Sequence, residues 1–102
     1  MSDQGARLSV VRTADGWTIE GEIDAHSADS LAKALSQLPD VPKVVADFAG
    51  VSFMDSSGLR VLVDAAMQAS NAGKTFVIAN PQVAIRRVVE ISGLSELLHF
   101  ID

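Results

Sequence analysis

The sequence predicts an α/β domain built on a mixed β-sheet, in the order β-β-α-β-α-β-α-(β). Two observations carry this. The N-terminal part holds two strand-like runs, "LSVVRT" and "WTIEGEI", on either side of Ala14-Asp15-Gly16. The remainder alternates short valine-rich runs with stretches whose apolar residues recur at helical spacing. An Asp-Gly junction between strand-like runs signals an antiparallel hairpin. Strands alternating with helices pair in parallel through crossover helices. At 102 residues the chain is one domain, long enough to bury roughly 60 to 70% of its surface without staples.

Each element has its own warrant. Trp17, Ile19 and Ile23 alternate with Thr18, Glu20 and Glu22, the period of a half-buried strand. In "DAHSADSLAKALSQLPD", Ala28, Leu31, Leu35 and Leu38 fall on one helical face. Ser27 is placed to cap that helix, Asp29 to meet its positive end, and Pro39 to stop it. "KVVADF" suits a strand covered on both faces, with "GVSFMDSS" connecting it to a second helix. On that helix Leu59, Leu62, Val63, Ala66 and Met67 form an inward stripe, and Arg60, Asp64, Gln68 and Asn71 an outward one. Gly73 fits the position just past its end. "KTFVIAN" is a further buried strand. Asn80-Pro81 reads as the next helix start, with Asn as cap and Pro at the first helical position. Ile85, Val88 and Val89 face inward, and Gly93-Leu94 reads as a Schellman ending with Leu94 folded back on Val89. "LLHFID" supplies a short last strand.

Composition excludes several functions. The chain has no cysteine, hence no disulfide, thiolate metal site or cysteine nucleophile. Its net charge of -5 argues against nucleic acid, which needs a basic face. Glu20, Glu22, Asp24 and Asp29 crowd together, as a solvated edge or as a face for a basic partner. No apolar run approaches the ~20 residues needed to span a bilayer. The opening "MSDQGARLSV" lacks the basic and apolar regions of a signal peptide, so the expected location is the cytoplasm.

The segment "SFMDSSGLRVL" concentrates the chemistry, with apolar Phe53 and Met54 leading into Asp-Ser-Ser-Gly. A serine before an apolar-periodic run is the common way to satisfy the free N–H groups of a first helical turn, with Ser57 as cap and Gly58 opening the turn. The same strand-to-helix junction lies at the carboxyl edge of the sheet, where such folds place their sites. A nucleophile elbow requires G-x-S-x-G, but Met54 stands at the first glycine. It also requires a base, and the only histidines are His26 and His99. The glycine-rich phosphate loops are absent. Asp47 ends a strand, yet lacks the companion acids of a phosphoacceptor aspartate. Covalent phosphate on a serine fits the physics. It adds roughly 1.5 to 2 negative charges, and a helix N-terminus accommodates them. The local pattern leaves Ser56 and Ser57 nearly interchangeable.

"VSFMDSSGLRVL" resembles the phosphorylation-site segment of the bacterial anti-sigma factor antagonists, which are STAS-domain proteins. "GEIDAHSADSLAKAL" resembles the second segment of that family, and "NPQVAIRRVVEISGLSELLHF" its C-terminal one. Together they run from Gly21 to Phe100. The resemblance implies the STAS fold and a partner-switching role with no cofactor and no catalysis by this chain. The unphosphorylated form binds an anti-sigma factor that is also a serine kinase of the histidine-kinase-like ATPase type, which frees a sigma factor. Phosphorylation of Ser56, with Ser57 as the alternative acceptor, ends that binding, and a metal-dependent serine phosphatase reverses it. The implied partner-binding surface comprises Glu22, Asp24, His26, Ser27, Met54, Asp55, Ser56, Ser57, Gly58 and Arg60. The protein alone is expected to be a monomer. Several relatives carry a further C-terminal helix where this chain stops at Asp102, and no sensor domain is expected before the first strand.

Two other functions compete. Short STAS proteins also serve as accessory subunits of lipid-transport ATPases or as signalling scaffolds. An enzyme using Ser56 as nucleophile is the third, and it lacks an evident base.

Overall fold

The computed structural model describes residues 8–101. The chain opens with β1 (Leu8–Thr13) and β2 (Gly16–Ile23), antiparallel and joined at Ala14-Asp15, so that Thr13 faces Gly16. Gly16 is therefore the first strand residue rather than part of the turn. It is glycine because a Cβ there would lie 1.8 Å from the Val45 carbonyl oxygen. The neighbouring Asp15 carbonyl accepts the Val45 N–H at 2.8 Å, which docks the hairpin onto the next strand.

Helix α1 (Ala28–Leu35), strand β3 (Lys43–Met54), helix α2 (Ser56–Asn71), strand β4 (Thr75–Ala79), helix α3 (Val83–Ile91) and strand β5 (His99–Ile101) follow. The five strands lie in the order β1-β2-β3-β4-β5, parallel from β2 onward. This is the mixed α/β architecture expected from the sequence. The register aligns Trp17, Ala46, Ile78 and Phe100 across one face. Phe48, Ile19, Ile23, Leu31, Leu35, Leu62 and Ile85 fill the core built on that row. Helix α2 packs on β3 and β4 and lies alongside α1, whereas α3 packs on β3.

Four local expectations need correction. "GVSFM" is strand, not connection: β3 continues to Met54 because β2 accompanies it, pairing Glu20 with Gly50 and Ile23 with Met54. Register shifts between Thr18 and Glu20 and between Gly21 and Glu22 absorb the mismatch. The β4 pairing stops at Asp47–Ala79, so the second half of β3 is paired on one side by β2 alone. The buried arc of α2 is Gly58, Leu59, Val61, Leu62, Ala65, Ala66 and Ala69, and Met67 is 53% exposed. The arc is rotated because α1 covers the Val61–Ala65 side. Leu38 lies past the end of α1 and is half-buried there. Helix α3 begins after Gln82, not at Asn80-Pro81: Asn80 donates its N–H to the Ile101 carbonyl at 2.7 Å and takes φ 55, finishing the β4–β5 ladder before the turn.

Both helix ends marked by glycine form as expected. Gly73 (φ 75) and Gly93 (φ 76) occupy left-handed backbone. Beyond each, the next N–H reaches back into the last turn: Lys74 to the Ala69 carbonyl at 2.8 Å and Leu94 to the Val89 carbonyl at 3.3 Å.

Candidate phosphoacceptor site

The candidate site grows from the carboxyl ends of two neighbouring strands. β2 and β3 finish side by side at Ile23 and Met54, and the Asp55 N–H donates to the Ile23 carbonyl at 3.1 Å. That bond ties the two exits together, so the loops entering α1 and α2 start from fixed points.

On the α2 side, Asp55 has extended backbone and its Oδ1 accepts the Ser57 N–H at 2.9 Å. Asp55 is the N-cap, a role the sequence pattern assigns to Ser57. Its carbonyl accepts the N–H groups of Gly58 and Leu59, each at 3.1 Å. Ser56 thus becomes the first helical residue and Ser57 the second. Because the cap is the aspartate, neither serine hydroxyl is spent on capping. Ser56 is exposed and Ser57 half-buried, and among the described residues neither hydroxyl makes a hydrogen bond. Gly58 packs the helix start onto the strand ends. A Cβ there would lie 2.4 Å from Ile23 Cγ2 and 2.6 Å from Met54 Cγ.

On the α1 side, Asp24 organises the turn. Its Oδ1 accepts the N–H of His26 at 2.9 Å and of Ser27 at 3.2 Å. The Ser27 hydroxyl accepts the Asp24 N–H at 3.0 Å and donates to the Glu22 carbonyl at 3.1 Å. Ser27 does stand at the N-cap position, but its hydroxyl bonds back to the β2 end instead of capping α1. The functional consequence is a loop braced against the strand from which it emerges.

Between the two helix starts lies an open groove of about 470 Å³. Ala28, Asp29 and Ala32 line it from α1, and Ser56, Ser57, Arg60, Val61 and Asp64 from α2. The alanines keep the α1 wall low, which leaves Ser56 and Arg60 open to solvent. Of the residues expected to act together, Ser56, Ser57 and Arg60 meet in this groove. Asp24, His26 and Ser27 form the adjoining turn, and Glu22 pairs with Phe53 on β3. Met54 is only 3% exposed and belongs to the core, and Gly58 is buried as well. These two shape the site from beneath. Phe53 looks in the sequence like a mere apolar lead-in, yet it is 48% exposed beside Glu22. Strand alternation is the signal that finds it: once Met54 points inward, its strand neighbour must point the other way. His99 lies on β5 beside Val77, away from the serines. Among the described residues no cluster of His, Asp or Glu is arranged to hold a metal ion, and no helix is long and apolar enough to cross a membrane.

The fold and its strand-to-helix edge take their class from the comparisons with known proteins. The STAS domain family matches residues 10–102, and the chain belongs to it. Within it the chain belongs with the anti-sigma factor antagonist family. It is 33% identical to the anti-sigma-B factor antagonist of Listeria monocytogenes over 82 residues, 78% of this chain and 72% of that protein. Among solved structures, the anti-sigma factor antagonist SpoIIAA in its unphosphorylated form superposes with a TM-score of 0.67 at 24% identity, covering 91% of this chain and 86% of that one. Its phosphorylated form, described as a Bacillus cell fate determinant, gives 0.65 at 23%, covering 91% and 89%. A sulfate transporter family protein from Wolinella succinogenes gives 0.74 at 17%, covering 92% and 81%. At these identities the structures share the fold.

Proposed function

We propose that this protein is a phosphorylation-controlled antagonist in a partner switch. Unphosphorylated, it binds an anti-sigma factor that is also a serine kinase of the histidine-kinase-like ATPase type, and a sigma factor is released. Phosphorylation of Ser56 ends the complex, and a metal-dependent serine phosphatase resets it. ATP belongs to the partner, so this chain needs no cofactor. The protein alone is a monomer.

The observation that carries this reading is Ser56 itself: an exposed, unbonded hydroxyl at the first position of α2, with Asp55 rather than a serine doing the capping. Ser57 is second choice because it is half-buried and its backbone N–H is held by Asp55. In the transfer, Ser56 Oγ forms a bond to the γ-phosphorus of ATP as the bond to the bridging oxygen breaks. ADP leaves, and the hydroxyl proton passes to a base of the kinase. Occurrence of SpoIIAA in unphosphorylated and phosphorylated forms supports the comparison. Incubation with the cognate kinase and ATP is expected to add one phosphate, mapped to Ser56. Full-rate labelling of Ser56→Ala would move the acceptor elsewhere.

A further inference from the structure

Arg60 is the unused charge of the groove. It lies four residues beyond Ser56 on α2, and both residues line the same cleft. Side chains four apart on a helix have Cβ atoms about 5–6 Å apart. Long helical side chains also lean toward the helix N-terminus, which brings the Arg60 guanidinium back toward position 56. Asp29 and Asp64 share the groove, but among the described residues Arg60 makes no ion pair or hydrogen bond. Among the described residues no other cationic side chain lines the cleft. A guanidinium fork matches the oxygens of a phosphate monoester better than a point charge does.

We propose that Arg60 is the intramolecular counter-ion of the phosphorylated Ser56 side chain, drawn into the groove between α1 and α2 when the phosphoryl group replaces the hydroxyl proton. This rests on Ser56 being the acceptor, and it deepens the switch. Phosphorylation then does two things at the surface. It adds negative charge, and it withdraws the Arg60 cation from what the groove offers a partner. The helix start needs no rearrangement, because Asp55 still holds the Ser57 N–H.

The test installs phosphoserine at position 56 during translation, without any kinase, and follows its 31P resonance against pH at low salt. Phosphoserine exchanges its second proton near pH 6. A cation favours the dianion and lowers that midpoint; removing it raises the midpoint. Asp29 and Asp64 line the groove with Arg60, and Glu22, Asp24, His26 and Asp55 stand on the adjoining strand end and turns. They are unchanged between variants, so the difference isolates Arg60. Arg60→Gln is expected to raise the midpoint by about 0.3 pH unit, the scale of one i,i+4 charge pair. Arg60→Lys is expected to recover part of that shift, and added salt to shrink it. A midpoint left unmoved by Arg60→Gln overturns the proposal. Failure of the kinase to label Ser56 counts against the functional reading instead, since the phosphate here is placed without it.

Discussion

Asp55 decides what the two serines are free to do. Its carboxylate satisfies one of the first-turn N–H groups, so both hydroxyls remain available. Asp55→Ala is expected to lower stability by about 1 kcal/mol, with Asp55→Ser retaining most of it, read by urea denaturation. Ser56→Asp tests the switch at the same scale. Ser56 is exposed and a first-turn acid is favourable, so the melting temperature should hold while affinity for the proposed kinase partner falls. Unchanged affinity would count heavily against a charge-driven release. The Asp-Ser-Ser-Gly string announces a helix start in the sequence. Which of three polar residues makes the cap depends on the extended backbone at Asp55, and the pattern of side chains alone does not encode that choice.

At the scale of elements, two glycines at helix ends obey different physics. Gly58 is needed for space: its missing Cβ lets α2 settle between Ile23 and Met54. Gly93 is needed for backbone: it has φ 76, and nothing within 4 Å would meet a Cβ. Gly58→Ala should therefore cost roughly 1–3 kcal/mol through overpacking at the strand ends. Gly93→Ala should cost about 1 kcal/mol from conformation alone. Thermal melts separate the two, and in a domain near this size each kilocalorie moves the midpoint by about 4–8 °C. The Schellman ending is legible because its signal is local, a glycine followed by an apolar residue. The length of β3 is not. "GVSFM" lacks the apolar continuity of "KVVADF", and it becomes strand because β2 runs beside it with two register shifts. The inward face of α2 departs from its periodic stripe at Met67 for a related reason. Periodicity fixes the spacing of a stripe, but the position of α1 fixes which way it turns.

At the scale of the whole molecule, the described residues form one sheet with one core, and Trp17 sits within it at 2% exposure. It is the only tryptophan, so its fluorescence reports tertiary packing while far-UV circular dichroism reports helices. Urea transitions followed by the two probes are expected to coincide, as for a small two-state domain; separate midpoints would show α1 or α2 loosening independently. The alternation of strands and helices makes the architecture legible from the sequence. The groove is not, since it depends on α1 and α2 meeting above the ends of β2 and β3.

The bond from the Asp55 N–H to the Ile23 carbonyl joins residues far apart in the chain. The proposed acceptor, Ser56, is thus displayed as a conformational epitope, on the first turn of a helix rather than on an extended tail. On the proposed switch, a kinase acting on Ser56 is expected to read a surface assembled from both strand ends, not a linear string of neighbours. A synthetic peptide spanning residues 50–62 carries the same letters without that surface. It is expected to be phosphorylated far more slowly than the folded protein, and equal rates would show that the enzyme reads sequence and not shape.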